Sequence, residues 1–173
     1  MTTILLLATL SIWRMGGDIH VDNAPNGASL HTMGGNIRIS RAAGNVVAKT
    51  MGGNIEIRSL TGSAEVSTMG GQIDVIVEGR GPGHDLDLQS LGGEIELTLP
   101  ADFDGTFDVE LEEGDRPRDL RVSSDFPLNV QESTRTRWFG SKHVVQTATG
   151  KTGSGANHVR ITTVGSDITI RKK

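Results

Sequence analysis

Polar and apolar residues alternate in the same way after each of five Gly-Gly pairs. Each pair is followed by a polar residue, an isoleucine, a second polar residue and a second apolar residue. The five segments are Asp18-Ile19-His20-Val21, Asn36-Ile37-Arg38-Ile39, Asn54-Ile55-Glu56-Ile57, Gln72-Ile73-Asp74-Val75 and Glu94-Ile95-Glu96-Leu97. A period of two is typical of a β-strand with one buried face, so the pattern predicts five short strands.

A second alternating segment precedes each of these pairs, and another precedes a relaxed copy at Val164-Gly165. The predicted inward positions are Ala28/Leu30/Thr32, Val46/Ala48/Thr50, Ala64/Val66/Thr68, Leu86/Leu88/Ser90 and Val159/Ile161/Thr163. Leu10, Ile12 and Arg14 share this register, which favours a first strand over a degenerate signal sequence for the apolar run near the N-terminus. That run is too short to span a membrane, so no integral membrane span is expected.

The two segments together form an 18-residue repeat. Met15, Met33, Met51 and Met69 stand before successive Gly-Gly pairs at intervals of 18 residues, and Leu91 follows after 22. Two short strands cannot bury their own apolar face, so successive copies must stack. The sequence predicts an all-β fold, a single-stranded parallel β-helix of five to six coils in one domain over residues 1–173. The coils cover about 9–99, a partly antiparallel β insert or cap covers 100–157, and a closing coil covers 158–171.

Two sets of repeated positions are interpreted as structural. Stacking predicts a buried core column, and this interpretation is preferred to a copper site because thioether ligands need convergent geometry. The core column consists of Met15, Met33, Met51, Met69, Leu91 and Val164. Tight corners are predicted at Gly17, Gly35, Gly53, Gly71 and Gly93, and a left-handed corner is predicted at Asn26, Gly44, Gly62, His84 and Asn157.

The composition and the remaining motifs provide no signature of catalysis. The net charge is −4 with interspersed signs, which indicates no nucleic-acid partner, and there is no cysteine. The histidines lack metal-ligand spacing, and Asp102-Phe103-Asp104-Gly105 lacks the rest of a calcium loop. Asp74 and Glu96 are a candidate acidic pair on one outward column, but paired acids are common on solvated faces. We expect a non-enzymatic protein with no catalytic, cofactor-binding or metal residues and no cofactor.

The coils, together with LGGEIELTLPADFDGTFDVELEEG, SSDFPLNVQE and NHVRITTVGSDITIRK, resemble a bacterial adhesin domain of unknown function, a Gly-rich β-solenoid family with repeated MGG coils. The likeness extends from about Gly16 to Lys173. It implies a β-helix of the cell envelope or an exported protein, with no family catalytic residues to transfer. The chain shows no clear signal peptide, and a cytoplasmic location stays open.

Three functions are compatible with this pattern. The first is an adhesin or scaffold that contacts a protein or glycan partner through its polar faces. The second is a self-assembling structural β-helix that forms a filament or scaffold. The third is a regulatory or sensor module of an envelope-stress system. The outward faces and the 100–157 insert are the places where function is expected.

Overall fold

The protein is described by a computed structural model over residues 9–79, 81–113, 120–136 and 142–173. These residues form sixteen β-strands. The strands are β1 (Leu10–Arg14), β2 (Ile19–Ala24), β3 (Ala28–Thr32), β4 (Ile37–Ala43), β5 (Val46–Thr50), β6 (Ile55–Thr61), β7 (Ala64–Thr68), β8 (Ile73–Val77), β9 (Leu86–Ser90), β10 (Ile95–Leu99), β11 (Gly105–Glu112), β12 (Val122–Ser124), β13 (Leu128–Thr136), β14 (Lys142–Thr152), β15 (Asn157–Val164) and β16 (Ile168–Lys172). The predicted all-β solenoid is confirmed.

Two sheets form the walls of the solenoid, and each repeat gives one strand to each sheet. The nine-stranded sheet has the order β1-β3-β5-β7-β9-β15-β11-β14-β13, and the seven-stranded sheet has the order β12-β16-β10-β8-β6-β4-β2. Equivalent residues of successive coils pair in parallel register, as Ile55 does with Ile37 on one side and Ile73 on the other. The 18-residue period of the sequence is therefore the length of one coil.

The inward positions of both strands form one continuous aliphatic core between the sheets. Leu30, Val46, Val66, Leu88 and Ile161 are completely buried on the nine-stranded side. The isoleucines that follow the Gly-Gly pairs are buried on the opposite side. Full burial of each such side chain stabilises the fold by about 1.5–3 kcal/mol. The strand alternation thus identified the core correctly from Ile19 onward, whereas Leu10 and Arg14 of β1, which share the predicted inward register, are exposed.

The predicted core column of methionines is wrong. The side chains lie on the outside of the solenoid, with exposed fractions of 84% for Met15, 48% for Met33, 49% for Met51, 52% for Met69 and 58% for Leu91, and Val164 is half-buried. The physical reason is strand alternation itself. Thr32, Thr50 and Thr68, which precede Met33, Met51 and Met69, point inward, so the methionine that follows each of them points outward.

The inward column at this corner consists of hydroxyl groups instead. Each threonine or serine donates a hydrogen bond to a glycine carbonyl of the neighbouring coil. The bonds are Thr32 to Gly17 (3.1 Å), Thr50 to Gly35 (2.9 Å), Thr68 to Gly53 (3.0 Å), Ser90 to Gly71 (3.1 Å) and Thr163 to Gly93 (3.4 Å). The second glycines also stack directly, because a Cβ on Gly53 would collide with the carbonyl oxygen of Gly35. Only glycine allows this backbone approach.

The predicted left-handed corner is correct only at Gly44, where φ is +75°. No non-glycine residue of the described chain has a positive φ, so Asn26, His84 and Asn157 are not left-handed, and Gly27 takes the positive φ (+84°) beside Asn26. Gly62 also has no positive φ, and its Cβ would collide with the backbone of Gly44. This corner is therefore set by close packing of stacked backbone more than by left-handed residues.

The C-terminal coil is not the last layer of the solenoid. β15 lies between β9 and β11 in parallel register, and β16 lies between β10 and β12. The insert therefore adds a further layer beyond the coil that follows it in sequence. β14 and β13 then extend the nine-stranded sheet in antiparallel fashion. The insert flanks the solenoid end as predicted. Its strands β11 and β12 do not pair with β9 and β10, and β15 and β16 form the layer between them.

Candidate functional site on the outer face of the seven-stranded sheet

The outward side chains of the seven-stranded sheet form a regular polar surface, here named the ladder face. It contains three columns that run across successive coils at the strand spacing of about 4.8 Å. The first column is Asp18, Asn36, Asn54, Gln72, Glu94 and Asp167; the second is His20, Arg38, Glu56, Asp74, Glu96 and Thr169; the third is Ser40, Arg58, Ile76, Thr98 and Arg171.

Side-chain oxygens of the first column hold the backbone of the next coil. Asp18 Oδ1 accepts from the backbone N–H of Asn36 at 2.8 Å, Asn36 Oδ1 accepts from Asn54 at 2.9 Å, and Asn54 Oδ1 accepts from Gln72 at 2.8 Å. These hydrogen bonds hold the amide oxygens of Asn36 and Asn54, so each of these two amide groups has a fixed orientation. The ladder supplies evenly spaced amide groups along an exposed edge of the face.

Glu56 is the ion-paired centre of the second column. Its two carboxylate oxygens accept from Arg38 Nε and Arg58 Nε, each at 2.6 Å. The hydrogen bond from Arg58 is the main cause that lowers the pKa of Glu56, and the bond from Arg38 is the next. Glu56 therefore accepts one charge-assisted hydrogen bond on each oxygen, and it orients two guanidinium groups on the face.

Asp74 occupies the position between two other carboxylates, Glu56 and Glu96, in the register of adjacent strands. Partial burial raises its pKa above the ordinary value, and the charges of Glu96 and Glu56 raise it further. Glu96 is partnered by Arg171 Nη1 at 3.1 Å. The expected pairing of Asp74 with Glu96 on one outward column is confirmed, and Asp74 is the member that carries the electrostatic cost.

Asp74 lines a shallow depression on the ladder face. The other polar side chains around it come from three neighbouring coils and include amides, a guanidinium and a carboxylate. They are Asn36, Arg38, Asn54, Glu56 and Gln72. The depression offers donors and acceptors together, which suits a partner rich in hydroxyl or amide groups. In the described ranges no three His, Cys, Asp or Glu side chains are grouped to hold a metal ion.

Two polar residues fix the C-terminal coil: Asn157, which the sequence predicts only as a corner residue, and Asp104, which it places only in an incomplete calcium-loop fragment. Asn157 is buried; its Oδ1 accepts from the His84 backbone N–H at 2.9 Å, and its Nδ2 donates to the carbonyls of Gly81 (2.9 Å) and Asp104 (2.6 Å). The Asp104 carboxylate accepts from Ser154 Oγ (2.7 Å) and from the backbone N–H of Gly155 (2.6 Å) and Ala156 (3.1 Å). The bond from Ser154 is the first cause that lowers the Asp104 pKa to about 2.

Asp104 lies within the fragment that resembled part of a calcium loop, and its role is to hold a turn. The signal that could have identified this role is the Gly-Ser-Gly turn at 153–155, which has φ of +60° at Gly153 and +79° at Gly155. Such turns present backbone N–H groups to a carboxylate. The pairing of that turn with a residue about 50 positions earlier is long-range and has no local sequence signal.

No curated protein and no solved structure is significantly similar to the chain. In the described part of the chain no helix is long and apolar enough to cross a membrane. A family model described as Toastrack DUF4097 matches residues 2–171, which is nearly the whole sequence. The chain therefore belongs to the Toastrack DUF4097 family, a family of unknown function with a solenoid-like repeat fold.

Proposed function

We propose that the protein is a non-enzymatic binding scaffold of the bacterial cell envelope, and that the ladder face binds an extended glycan. The observation that carries this proposal is the position of Asp74. This carboxylate is held between two others at an electrostatic cost, on a surface where the neighbouring charges are paired. Groups that are retained at such a cost are enriched at functional sites.

The regularity of the ladder face supports an extended partner. Amide and charged groups recur at the coil spacing of about 4.8 Å, so a partner that lies along the solenoid axis meets the same chemistry several times. Each contact is weak, and the affinity comes from their number. A linear polysaccharide presents hydroxyl and amide groups in this repeated manner.

Binding is a better account of Asp74 and Glu96 than catalysis. Glycoside hydrolysis needs two carboxyl groups that flank the scissile bond from opposite sides. Asp74 and Glu96 stand side by side in one column and point outward from adjacent strands. Glu96 is also neutralised by Arg171. The pair can accept hydroxyl protons in hydrogen bonds, but it does not enclose a substrate.

The test is co-sedimentation of the full chain with purified peptidoglycan sacculi, together with a glycan array. We expect the wild-type protein to bind a glycan, and Asp74→Asn and Asn54→Ala to weaken this binding. Asp87→Asn is the matched control, because Asp87 is an outward acid on the nine-stranded sheet that already accepts from Gln89 Nε2 at 3.0 Å.

Three results would contradict the proposal. The first is no retention of the wild-type protein on any glycan. The second is loss of binding in Asp87→Asn with Asp74→Asn unaffected, which would place the contact on the other sheet. The third is release of reducing ends from the bound glycan, lost in Asp74→Asn and Glu96→Gln, which would make the protein an enzyme.

Self-association is the second candidate function, because of the edge strands at the N-terminal end of the solenoid. β1 ends the nine-stranded sheet and β2 ends the seven-stranded sheet, and in the described chain each pairs with a strand on one side only. Such edges favour pairing with another chain. Sedimentation velocity over a concentration series tests this candidate, and a single monomeric species at every concentration would exclude it.

A further inference from the structure

The exposed methionines form a single external row, here named the thioether row: Met15, Met33, Met51 and Met69. The sequence contains five methionines, so every one except Met1 stands in this row. The core is filled with Leu, Ile, Val, Ala and Phe and contains no buried methionine in the described chain. Methionine is therefore not used here as a core filler, which is its common role.

The space around the row is open. Gly34 and Gly52 follow Met33 and Met51, and a Cβ added to either glycine would meet nothing within 4 Å. Neither glycine has a positive φ. The presence of glycine at positions 34 and 52 is therefore explained neither by steric contact nor by backbone conformation. The second glycine of each pair is required by packing. The first glycine only leaves the corner without a side chain next to the methionine. The thioethers thus stand at an unobstructed edge.

From this arrangement we propose that the thioether row binds a soft monovalent cation, Cu(I) or Ag(I), between methionine sulfurs of successive coils. Thioethers are neutral, polarisable ligands that select Cu(I) among the biological metals. Two sulfurs can share one ion only when they lie within about two metal–sulfur bond lengths, for which the zinc–thiolate bond of about 2.3 Å gives the scale. The register of successive coils places the backbones of neighbouring methionines about 4.8 Å apart, a spacing from which their side chains can reach one ion.

Exposure is what makes convergence feasible. A buried methionine is held by its neighbours, whereas a half-exposed side chain with three rotatable bonds can turn its sulfur toward the adjacent coil. Met33, Met51 and Met69 have nearly equal exposed fractions, 48%, 49% and 52%, and so present equivalent ligands on three consecutive coils. Leu91 interrupts the row at the fifth coil. The ion is expected at the three central methionines.

The test is an anaerobic titration of the full chain with Cu(I) in competition with bicinchoninate, together with Ag(I) titration of protein labelled with ¹³C at the methionine methyl groups. We expect saturable binding of no more than about two ions per chain, since each ion takes at least two sulfurs. The methyl resonances of Met33, Met51 and Met69 are expected to shift on addition of Ag(I).

The combined variant Met33→Leu, Met51→Leu and Met69→Leu is expected to lose this binding. It keeps the side-chain volume nearly constant at exposed positions, so an unchanged melting temperature shows that the fold is intact. Leu91→Met is the matched gain variant, and its new methyl resonance is expected to shift with the others. The proposal is overturned if the wild-type protein fails to compete with bicinchoninate, or if the triple variant binds Cu(I) as the wild type does.

Discussion

Thr50 donates a hydrogen bond from its hydroxyl to the carbonyl of Gly35 in the neighbouring coil at 2.9 Å, and its oxygen accepts from the N–H of Gly53 in its own coil at 3.3 Å. One buried hydroxyl therefore joins two coils and satisfies two backbone groups at a corner that has no regular sheet pairing. Thr68 repeats the arrangement with Gly53 (3.0 Å) and Gly71 (3.2 Å). The hydroxyl column therefore links successive coils of the solenoid by buried hydrogen bonds.

Thr50→Val is expected to destabilise the protein by about 1–3 kcal/mol, because the change keeps the shape and leaves two buried backbone groups without a partner. Urea denaturation followed by circular dichroism measures the free energy of unfolding. Thr149→Val is the control, since Thr149 is exposed on β14 and the same change there is expected within about 0.5 kcal/mol of wild type. Equal stabilities of the two variants would refute the conclusion that the Thr50 hydroxyl stabilises the contact between coils.

Met51→Asp is expected to cost at most about 1 kcal/mol, because the new carboxylate stays in water at the outer corner. Ile55→Asp, four residues later, places a charge in the aliphatic core and is expected to cost several kcal/mol or to prevent folding. Melting temperatures of the two variants provide the comparison. A larger loss for Met51→Asp than for Ile55→Asp would mean that the methionines, after all, lie inside.

Asn157→Ala is expected to loosen the C-terminal coil where it lies between β9 and β11. The change removes the acceptor of the buried His84 N–H and the side-chain donor to the Gly81 and Asp104 carbonyls, and a buried N–H left unpaired costs about 1–3 kcal/mol. Hydrogen exchange of β15 and β16 amides is expected to accelerate more than that of β3 to β6. His158→Ala, an exposed neighbouring change, should leave the exchange pattern as in wild type.

Asp74→Asn is expected to stabilise the protein at pH 7. Burial and the neighbouring carboxylates raise the Asp74 pKa in the folded state above its value in the unfolded chain, so ionisation weakens the fold. This loss is absent at pH below the unfolded pKa and grows as the pH rises through the folded pKa. The difference in unfolding free energy between variant and wild type should therefore shrink toward zero as the pH falls below about 4. A variant that is less stable than wild type at pH 7 would contradict the assignment of Asp74.

The core and the repeat could be predicted from the sequence because both depend on local alternation. The inward set from Ala28 to Thr163 and the isoleucines after the Gly-Gly pairs are buried as expected. The predicted methionine column is wrong because it rests on hydrophobicity, whereas the alternation requires Thr50 and Met51 to face opposite sides of the strand. The alternation does predict the inward hydroxyl residues, Thr32, Thr50, Thr68, Ser90 and Thr163, and these are buried as expected.

The position of the C-terminal coil could not be predicted in this way. β15 pairs with β9, which lies about 70 residues earlier, and also with β11. A repeat pattern shows that Val159 and Ile161 face inward, but it does not show which coil receives them. This choice is fixed by the side-chain hydrogen bonds of Asn157 and Asp104, which join residues far apart in sequence and leave no mark in the repeat pattern. On the ladder face, the repeat predicts that Asp74 and Glu96 are neighbours, because they occupy equivalent positions in successive coils. It does not predict that two arginines pair with Glu56, because that pairing depends on side-chain conformation.

If the ladder face binds a glycan, the side-chain amides of that face must change their environment when the glycan is added. The most direct measurement is a titration of ¹⁵N-labelled protein with soluble peptidoglycan fragments, in which the side-chain amide resonances of asparagine and glutamine are followed by NMR. We expect the resonances of Asn36, Asn54 and Gln72 to shift together and to saturate, while that of Gln89 on the opposite sheet stays unchanged. Shifts confined to Gln89 and its neighbours, or no shift of any amide at saturating fragment, would contradict the account.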